Sequence, residues 1–200
     1  MNPSSTAIVM IGYQNDYFRK DGLLHGVIES SASTILSRTL TLIQCLQLTP
    51  VTLIHAPIYF LPDYSELIDT IGILKIIRDV GAFKIGSPGS ETILELAAFN
   101  DRMVTVNGKR GLNAFHSTTL QDELDRRNIT DVVLAGVVTP LCIDSTARSA
   151  FEKGYRVTVL SDCTAGRTQY EQDFYCNEIL PLYTTVMTFN QLYEKLQVTL

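Results

Sequence analysis

The chain contains, at residues 129–155, the stretch ITDVVLAGVVTPLCIDSTARSAFEKGY, and its pattern decides the fold. Residues 132–138 form a continuous apolar run, a Thr-Pro break follows, and residues 141–153 have a helical pattern that Gly154 ends. A buried strand that leads into a helix through a short turn is half of a βαβ unit. The turn puts Cys142 in the first turn of the helix, where free backbone N–H groups and the helix dipole favour an anion.

Strands and helices alternate along the rest of the chain. Apolar runs predict further strands at 6–12, 51–56, 102–106, 156–160 and 184–187, and helical spacing predicts helices at 30–48, 91–98, 116–127, 169–180 and 191–196. This alternation predicts a doubly wound, three-layer α/β/α fold with a central parallel sheet of about six strands. We expect one domain over residues 1–200, with a loop at 161–167. Residues 59–86, with a possible helix at 67–79, are expected to form an excursion that covers a site.

Composition narrows the class of protein. The chain has 200 residues, of which 46% are hydrophobic and 18% are charged, so it can bury a core. Its net charge of −5 lacks the basic character that nucleic acid or an anionic membrane attracts, and no apolar run approaches the ~18 residues of a membrane span. We expect no signal peptide, because the first residues lack a basic region. The four cysteines form no CxxC pair, which predicts reduced thiols and a cytoplasmic location.

Residues at the ends of five predicted strands are expected to meet at one edge of the sheet. Ligands of doubly wound sheets bind at the carboxyl ends of the strands, near the switch in strand order. Gly12 ends the first predicted strand and His55 ends the second, while Lys109 and Cys142 follow the third and fourth. The fifth predicted strand is followed by Asp162 and Cys163. Residues that are distant in the sequence are therefore predicted to share one site.

Cys142 and Lys109 suggest nucleophilic chemistry. A thiolate attacks an amide, ester or imide carbonyl, and a helix N-terminus or a nearby ammonium group favours the thiolate form. Backbone N–H groups in the turn before Cys142 would stabilise the resulting oxyanion. The alternative is that Cys142 is a small buried apolar residue and Lys109 a solvated charge.

Three motifs occur in order along the chain: GYQNDY from Gly12, KRGLNAF from Lys109 and GVVTPLCIDSTARSA from Gly136. They resemble the D-x-Q-N-D-F, K-x-x-x-S-A-F and G-V-x-T-x-x-C-V-x-x-T-A-x-x-A motifs of the isochorismatase-like cysteine hydrolase superfamily. Nicotinamidases and N-carbamoylsarcosine amidohydrolases are members of this superfamily. The segment PGSE from Pro88 is similar to a further family segment, P-G-[ST]-x.

The resemblance implies a catalytic triad of aspartate, lysine and cysteine. Lys109 and Cys142 match two of these positions, and the third falls on Gly12. The resemblance also implies a cis peptide between Val137 and Val138, with an oxyanion hole formed by the N–H groups of Val138 and Cys142. The implied activity is cysteine-dependent hydrolysis of a C–N, amide-type bond in a small molecule, without a cofactor, by a homodimer or homotetramer.

Gly12 departs from the family pattern, because glycine cannot relay the proton that the aspartate carries. General acid–base catalysis accelerates a reaction by about 10²- to 10⁴-fold. Asp16 is one candidate replacement, although it matches the motif's second aspartate, which is usually structural. His55 is another, although it also fits a satisfied histidine at a strand end.

Three functions stay open. The chain is a cysteine hydrolase with an altered base, or an inactive relative that acts as a small-molecule binding or scaffold protein, or an acid–base enzyme that acts on a vinyl ether. The last depends on the carboxylate that is absent here. The activity of a Gly12→Asp variant separates the first two.

A partly aromatic pocket is also expected, with core packing as the alternative for each aromatic residue. The aromatic residues expected near this edge are Phe18, Tyr59, Phe60 and Phe115, and the residues expected to line the pocket are Phe18, His55, Tyr59 and Phe115. Arg110 is either a carboxylate-binding residue or a surface charge. Asp63 has no histidine two residues later, so we expect none of the metal binding that some nicotinamidases have.

Overall fold

A computed structural model describes residues 1–67 and 69–196 of the chain. Its strands are β1 (Thr6–Ile11), β2 (Thr52–Ala56), β3 (Met103–Thr105), β4 (Asp131–Val137), β5 (Arg156–Ala165) and β6 (Thr185–Met187). All six described strands join one parallel sheet in the order β3-β2-β1-β4-β5-β6. The predicted parallel sheet of about six strands is confirmed.

Helices cover both faces of this sheet. They are α1 (Asn15–Phe18), α2 (Ala32–Leu46), α3 (Gly72–Val80), α4 (Leu94–Ala97), α5 (Leu120–Arg126), α6 (Asp144–Glu152), α7 (Gln169–Phe174) and α8 (Phe189–Leu196). One apolar core lies between the sheet and α2, α4 and α8, and a second lies between the sheet and α5 and α6. The three-layer α/β/α prediction is therefore confirmed. Among the described residues, no helix combines the length and apolar composition that crossing a bilayer requires.

The two central strands are buried along their whole length. Every residue of β1 and β4 is buried, which explains why, after the first residue of each strand, their sequences are continuous apolar runs without alternation. The edge strands β3 and β6 have only three residues each, and short edges limit pairing with other chains. Local hydrophobicity therefore identifies the middle of the sheet more clearly than its edges.

The strand order reverses between β1 and β4. In doubly wound sheets a crevice opens at this point, at the carboxyl ends of the two strands. Gly136 allows these strands to pair closely, because its φ is +119° and a Cβ there would lie 1.9 Å from the carbonyl oxygen of Ile11. The crevice between β1 and β4 is therefore the expected position of a functional site.

Three predicted elements differ in extent from the structure. The predicted loop at 161–167 is largely strand, because β5 continues to Ala165 after its register shifts between the pairs Leu134–Val159 and Gly136–Thr164. The helix predicted at 141–153 begins earlier, as a π-helical turn at Thr139–Ile143, and continues as α6. The helix predicted at 169–180 changes from α7 to a second π-helical turn at Tyr175–Ile179. Apolar spacing does not reveal a bulge or a π turn.

Most of the other helix predictions were too long at their N-terminal ends, whereas α8 begins two residues before the helix predicted at 191–196. The possible helix at 67–79 includes Ile68, which lies outside the described residues, and its described part is α3, which begins only at Gly72. Gly81, with φ +81°, ends α3. Likewise α4 and α5 occupy parts of the predicted helices at 91–98 and 116–127.

The excursion after β2 packs on the carboxyl edge of the sheet. Phe60 and Phe83 belong to the same apolar cluster as Tyr17, Val137 and Val138. An isolated bridge between Phe60 and Lys84 closes the excursion at its base. The excursion therefore covers the crevice between β1 and β4.

Candidate active site

Cys142 lies in the π-helical turn Thr139–Ile143 that follows β4. The Val137–Val138 peptide bond before the turn is cis, which confirms that part of the prediction. Pro140 occupies the start of the turn, where its missing N–H removes no helical hydrogen bond. Backbone N–H groups in a first helical turn lack intrahelical acceptors, so they are available to an anion. Cys142 is buried, with 5% of its surface exposed.

Lys109 is the side chain that reaches the thiol. Its Nζ donates a hydrogen bond to Cys142 Sγ at 3.4 Å and another to the carbonyl oxygen of Gly111. Only 1% of Lys109 is exposed, so the alternative that it is a solvated charge is wrong. In the part of the chain that the structure describes, no carboxylate lies within 4.0 Å of Nζ.

The backbone of Lys109 is held by the chain that leaves β2. Ile58 forms a parallel bridge with Lys109, and the N–H of Tyr59 donates to the Lys109 carbonyl oxygen at 3.0 Å. Two segments that are 50 residues apart therefore become neighbours beyond the end of the regular sheet. The position of the ammonium group depends on this pairing rather than on the local sequence.

Gly12 has a backbone conformation that favours glycine. Its φ is +79°, in the left-handed region. A Cβ at this position would lie 2.9 Å from the carbonyl oxygen of Val137, 3.0 Å from Val137 Cγ2 and 3.6 Å from Tyr17 Cδ2. The missing carboxylate is therefore accompanied by a local backbone that has little room for any side chain.

Asp16 has a structural role in joining loops. It is buried, its Oδ2 accepts a hydrogen bond from the N–H of Phe83 at 2.7 Å, and its Oδ1 accepts a longer one from the N–H of Leu23 at 3.4 Å. Gly89 packs so tightly on this carboxylate that a Cβ there would lie 2.1 Å from Oδ1. The carboxylate therefore joins loops, as the second aspartate of the motif was expected to do.

His55 faces away from the thiol. Side chains alternate along a strand, and β2 directs Ile54 and Ala56 into the core that contains Cys142, while Leu53 lies in the opposite core. His55 shares the parity of Leu53, so the structure does not bring it to Cys142, although the sequence predicted both in one pocket. Burial lowers the pKa of His55 from 6.5 to about 4, and among the described residues its Nε2 has no hydrogen-bond partner.

Phe115 packs in the core cluster that also contains Cys142. It stacks on Tyr155, with ring centroids 6.2 Å apart, and Lys153 Nζ lies 5.5 Å from its ring centroid. Next to it, the N–H of Ala114 donates to Thr146 Oγ1 on α6 at 3.0 Å. Phe115 is therefore a core residue beside α6, and its place in the substrate pocket stays a prediction.

Phe18 packs against α2. Its ring stacks on Tyr13, with centroids 5.1 Å apart, and it lines a cavity of about 520 Å³ together with Leu36 and Ile93. Phe18 therefore packs between two apolar clusters, and its place in the substrate pocket stays a prediction.

Tyr17 is the aromatic residue that the sequence reasoning missed. It is buried, and its ring lies 5.0 Å from that of Phe83. Burial raises the pKa of the Tyr17 hydroxyl, and the nearby Cys142 thiol and Asp16 carboxylate raise it further. The motif from Gly12 contained this residue, but a sequence pattern does not tell which of two adjacent aromatic rings faces inward.

Two further predicted positions adjoin Lys109. The N–H of Tyr59 donates to the Lys109 carbonyl oxygen. Burial raises the pKa of the Tyr59 hydroxyl, and the charge of Glu91 raises it further. Arg110 forms an ion pair with Glu66 at 3.3 Å, which ties it to the excursion that covers the crevice.

Metal ligands are not gathered in this region. Across residues 1–67 and 69–196, no group of three or more histidine, cysteine, aspartate or glutamate side chains is placed to hold a metal ion. Asp63 is exposed, and its Oδ1 accepts a hydrogen bond from the N–H of Ser65 at 3.1 Å. Asp63 therefore stabilises a local turn.

Residues 6–191 match the Isochorismatase domain family. The chain belongs to this family. It is 30% identical over 167 residues to Nicotinamidase 3 of Arabidopsis thaliana, an alignment that covers 82% of this chain and 75% of that protein. The chain is thus an isochorismatase-family hydrolase, and the motifs that begin at Gly12, Lys109 and Gly136 all lie within the matched range.

Solved structures share the isochorismatase-like fold. A cysteine hydrolase from Pseudomonas syringae pv. phaseolicola superposes with a TM-score of 0.87 at 22% identity, over 98% of this chain and 94% of that chain. An N-carbamoylsarcosine amidase from Thermoplasma acidophilum superposes with a TM-score of 0.74 at 22% identity, over 95% of this chain and 98% of that chain. At this identity the likeness concerns the fold alone.

Proposed function

We propose that the chain hydrolyses a C–N, amide-type bond in a small molecule, with Cys142 as the nucleophile and Lys109 as its charged partner. The observation that carries the proposal is the 3.4 Å distance between two buried groups, Lys109 Nζ and Cys142 Sγ. A buried ammonium group without a carboxylate partner costs free energy of folding, so packing alone gives no reason to retain it. An ammonium group beside a thiol favours the thiolate, which is the nucleophilic form.

The first half of the reaction forms a thioester. The Cys142 thiolate attacks the carbonyl carbon, a C–S bond forms, and the N–H groups of Val138 and Cys142 donate to the oxyanion. The C–N bond then breaks, and Lys109 Nζ gives a proton to the leaving nitrogen. The products of this step are an amine, a thioester and a neutral lysine amine.

The second half restores the enzyme. Water attacks the thioester, and the Lys109 amine accepts the proton that the water loses. The C–S bond breaks, which releases the carboxylic acid and returns the thiolate and ammonium groups. Lys109 thereby performs the proton relay that the family aspartate would provide, because Gly12 cannot, Asp16 is held by backbone N–H groups and His55 faces the opposite core.

A small planar amide or similar acyl compound fits this arrangement. The thiol is almost fully buried, and the aromatic residues Tyr17, Phe60 and Phe83 pack in the apolar cluster that contains Val138. The similarity to a nicotinamidase supports the same substrate class. We further expect a cytoplasmic homodimer or homotetramer that binds neither nucleic acid nor membrane.

A panel of small amides tests the proposal. We expect the wild-type chain to release an amine or ammonia from at least one of them and to form an acyl adduct on Cys142 that mass spectrometry detects. Cys142→Ala should abolish turnover, and Lys109→Met should reduce it. The Cys163→Ala variant is the matched control, because burial raises the pKa of the Cys163 thiol to about 12 and keeps it unreactive.

The alternative function is a binding or scaffold protein without turnover. The specific observation in its favour is that no carboxylate in the described chain accompanies Lys109. Turnover that persists in Cys142→Ala would contradict the proposed mechanism. Absence of turnover across the panel, together with alkylation of Cys142 by iodoacetamide no faster than in an unfolded peptide, would favour the alternative.

A further inference from the structure

The Gln172 side chain on α7 has both ends of its amide engaged. Its Oε1 accepts a hydrogen bond from Thr139 Oγ1 at 2.7 Å. Its Nε2 donates to the Ser161 carbonyl oxygen at 3.0 Å and to Thr164 Oγ1 at 3.1 Å, and Cys176 Sγ lies 3.3 Å away. A carbonyl oxygen only accepts hydrogen bonds, so the contact with Ser161 fixes which end of the amide faces Thr139.

These contacts join the irregular part of β5 to the turn that carries the thiol. The register of β5 against β4 shifts so that two positions along β4 face five along β5, and Ser161 lies in the surplus segment. Thr139 is fully buried and begins the turn Thr139–Ile143 directly after Val138. Gln172 therefore bridges a bulge in the sheet and the first residue of the candidate oxyanion turn.

We propose that Gln172 is a positioning residue that holds Thr139 and thereby aims the N–H groups of Val138 and Cys142 at the oxyanion. This inference rests on the proposed function of that turn. Thr139 lies between the two donors in sequence, so its side-chain bond restrains both of them. A displacement of about 1 Å in a site can cost about 10²-fold in rate, and the loss of one oxyanion donor costs about 10²- to 10³-fold.

Two electrophiles distinguish the orientation of the oxyanion-hole N–H groups from the nucleophilicity of the Cys142 thiolate. p-Nitrophenyl acetate acylates a thiol through an oxyanion, whereas iodoacetamide alkylates it at a saturated carbon and forms none. We expect Gln172→Leu to slow the acylation of Cys142 by about 10- to 100-fold and to leave its alkylation rate unchanged. A role that only stabilises the fold would not distinguish between the two electrophiles.

Matched variants identify the hydrogen bond that is responsible. Gln169→Leu alters an exposed glutamine on the same helix, whose Nε2 donates to Asp173 Oδ1 at 2.8 Å, and we expect it to leave both rates unchanged. Thr139→Val should reproduce the loss, and Thr139→Ser, which retains the hydroxyl group, should restore acylation. The double variant Thr139→Val/Gln172→Leu should lose no more than the more affected single variant, because both act through one bond.

The outcomes that would overturn the inference are distinct. Acylation as fast in Gln172→Leu as in wild type, or a parallel fall of acylation and alkylation, would refute a positioning role. If Gln172→Leu does not fold, Thr139→Val makes the same comparison, because it removes the hydroxyl group that donates to Gln172 Oε1 and leaves the side-chain volume almost unchanged. The alkylation rate of wild-type Cys142 is measured before any variant is compared. If it is no faster than that of a thiol in an unfolded peptide, the proposed function fails, and this outcome is distinct from failure of the positioning role.

Discussion

Replacing Gly12 tests whether its backbone, and not only its lack of a carboxylate, distinguishes this chain from the family pattern. The φ of +79° costs an L-residue about 1–2 kcal/mol, because its Cβ approaches the neighbouring backbone. The Cβ would also lie 2.9 Å from the carbonyl oxygen of Val137 and 3.0 Å from its Cγ2, so β1 or β4 must shift. Strain of this kind costs about 1–3 kcal/mol per site, which gives a total of about 2–5 kcal/mol for Gly12→Ala or Gly12→Asp.

Urea unfolding measures this cost against two glycine controls. Gly154 has φ +88° and no heavy atom within 4 Å of the Cβ position, so Gly154→Ala isolates the dihedral cost of about 1–2 kcal/mol. Gly26 has open space around it and no positive φ, so Gly26→Ala should change stability by less than about 0.5 kcal/mol. We expect the free energies of unfolding to decrease in the order Gly26→Ala, Gly154→Ala, Gly12→Ala.

A Gly12→Ala variant as stable as Gly154→Ala would refute the argument that Val137 blocks this position. The rate of amide hydrolysis by Gly12→Asp provides a second test. Because an aspartate side chain enters only if the backbone moves, we expect Gly12→Asp to hydrolyse amides no faster than wild type. Faster turnover would mean that position 12 still accepts the family carboxylate, and that the present chain is an impaired enzyme.

Three further predictions concern buried polar side chains. Lys109→Met should slow iodoacetamide alkylation of Cys142 at neutral pH by about tenfold or more, because it removes the charge that favours the thiolate. The melting temperature should not fall, because the variant also removes a buried ammonium group that has no carboxylate partner. An unchanged alkylation rate would contradict this prediction. His55→Leu should flatten the pH dependence of stability. The pKa of His55 is about 4 in the folded state and ordinarily 6.5, so the unfolded state binds more protons as the pH falls through this window. The free energy of unfolding of the wild type should therefore be about 2 kcal/mol lower near pH 5 than at about pH 7.5, as urea unfolding at the two pH values would measure. An equal loss in His55→Leu would exclude His55 as the cause. Asp16→Ala should lower the free energy of unfolding by about 1–3 kcal/mol, because the N–H of Phe83 loses its acceptor. A smaller loss in urea unfolding would contradict the structural role of Asp16 and would again make it a candidate base.

The pairing of Lys109 with Cys142 was accessible from sequence because each residue follows a predicted strand. The carboxyl ends of parallel strands lie at one edge, so the order of elements alone brings the two side chains to the same region. The cis peptide at Val137–Val138 was accessible only through the resemblance to the family. Neither argument gave the 3.4 Å contact, which depends on the bridge between Ile58 and Lys109 beyond the regular sheet.

The sequence by itself determined the sheet, the layers and the turn that carries Cys142, because these follow from local hydrophobic patterns and a Thr-Pro break. Tertiary structure decided which side chains face the thiol. Strand alternation turned His55 to the opposite core, and packing placed Phe115 against Tyr155 and Phe18 against Tyr13. The physical reason is that the direction of a side chain depends on register and on neighbours distant in sequence, and a local pattern contains neither.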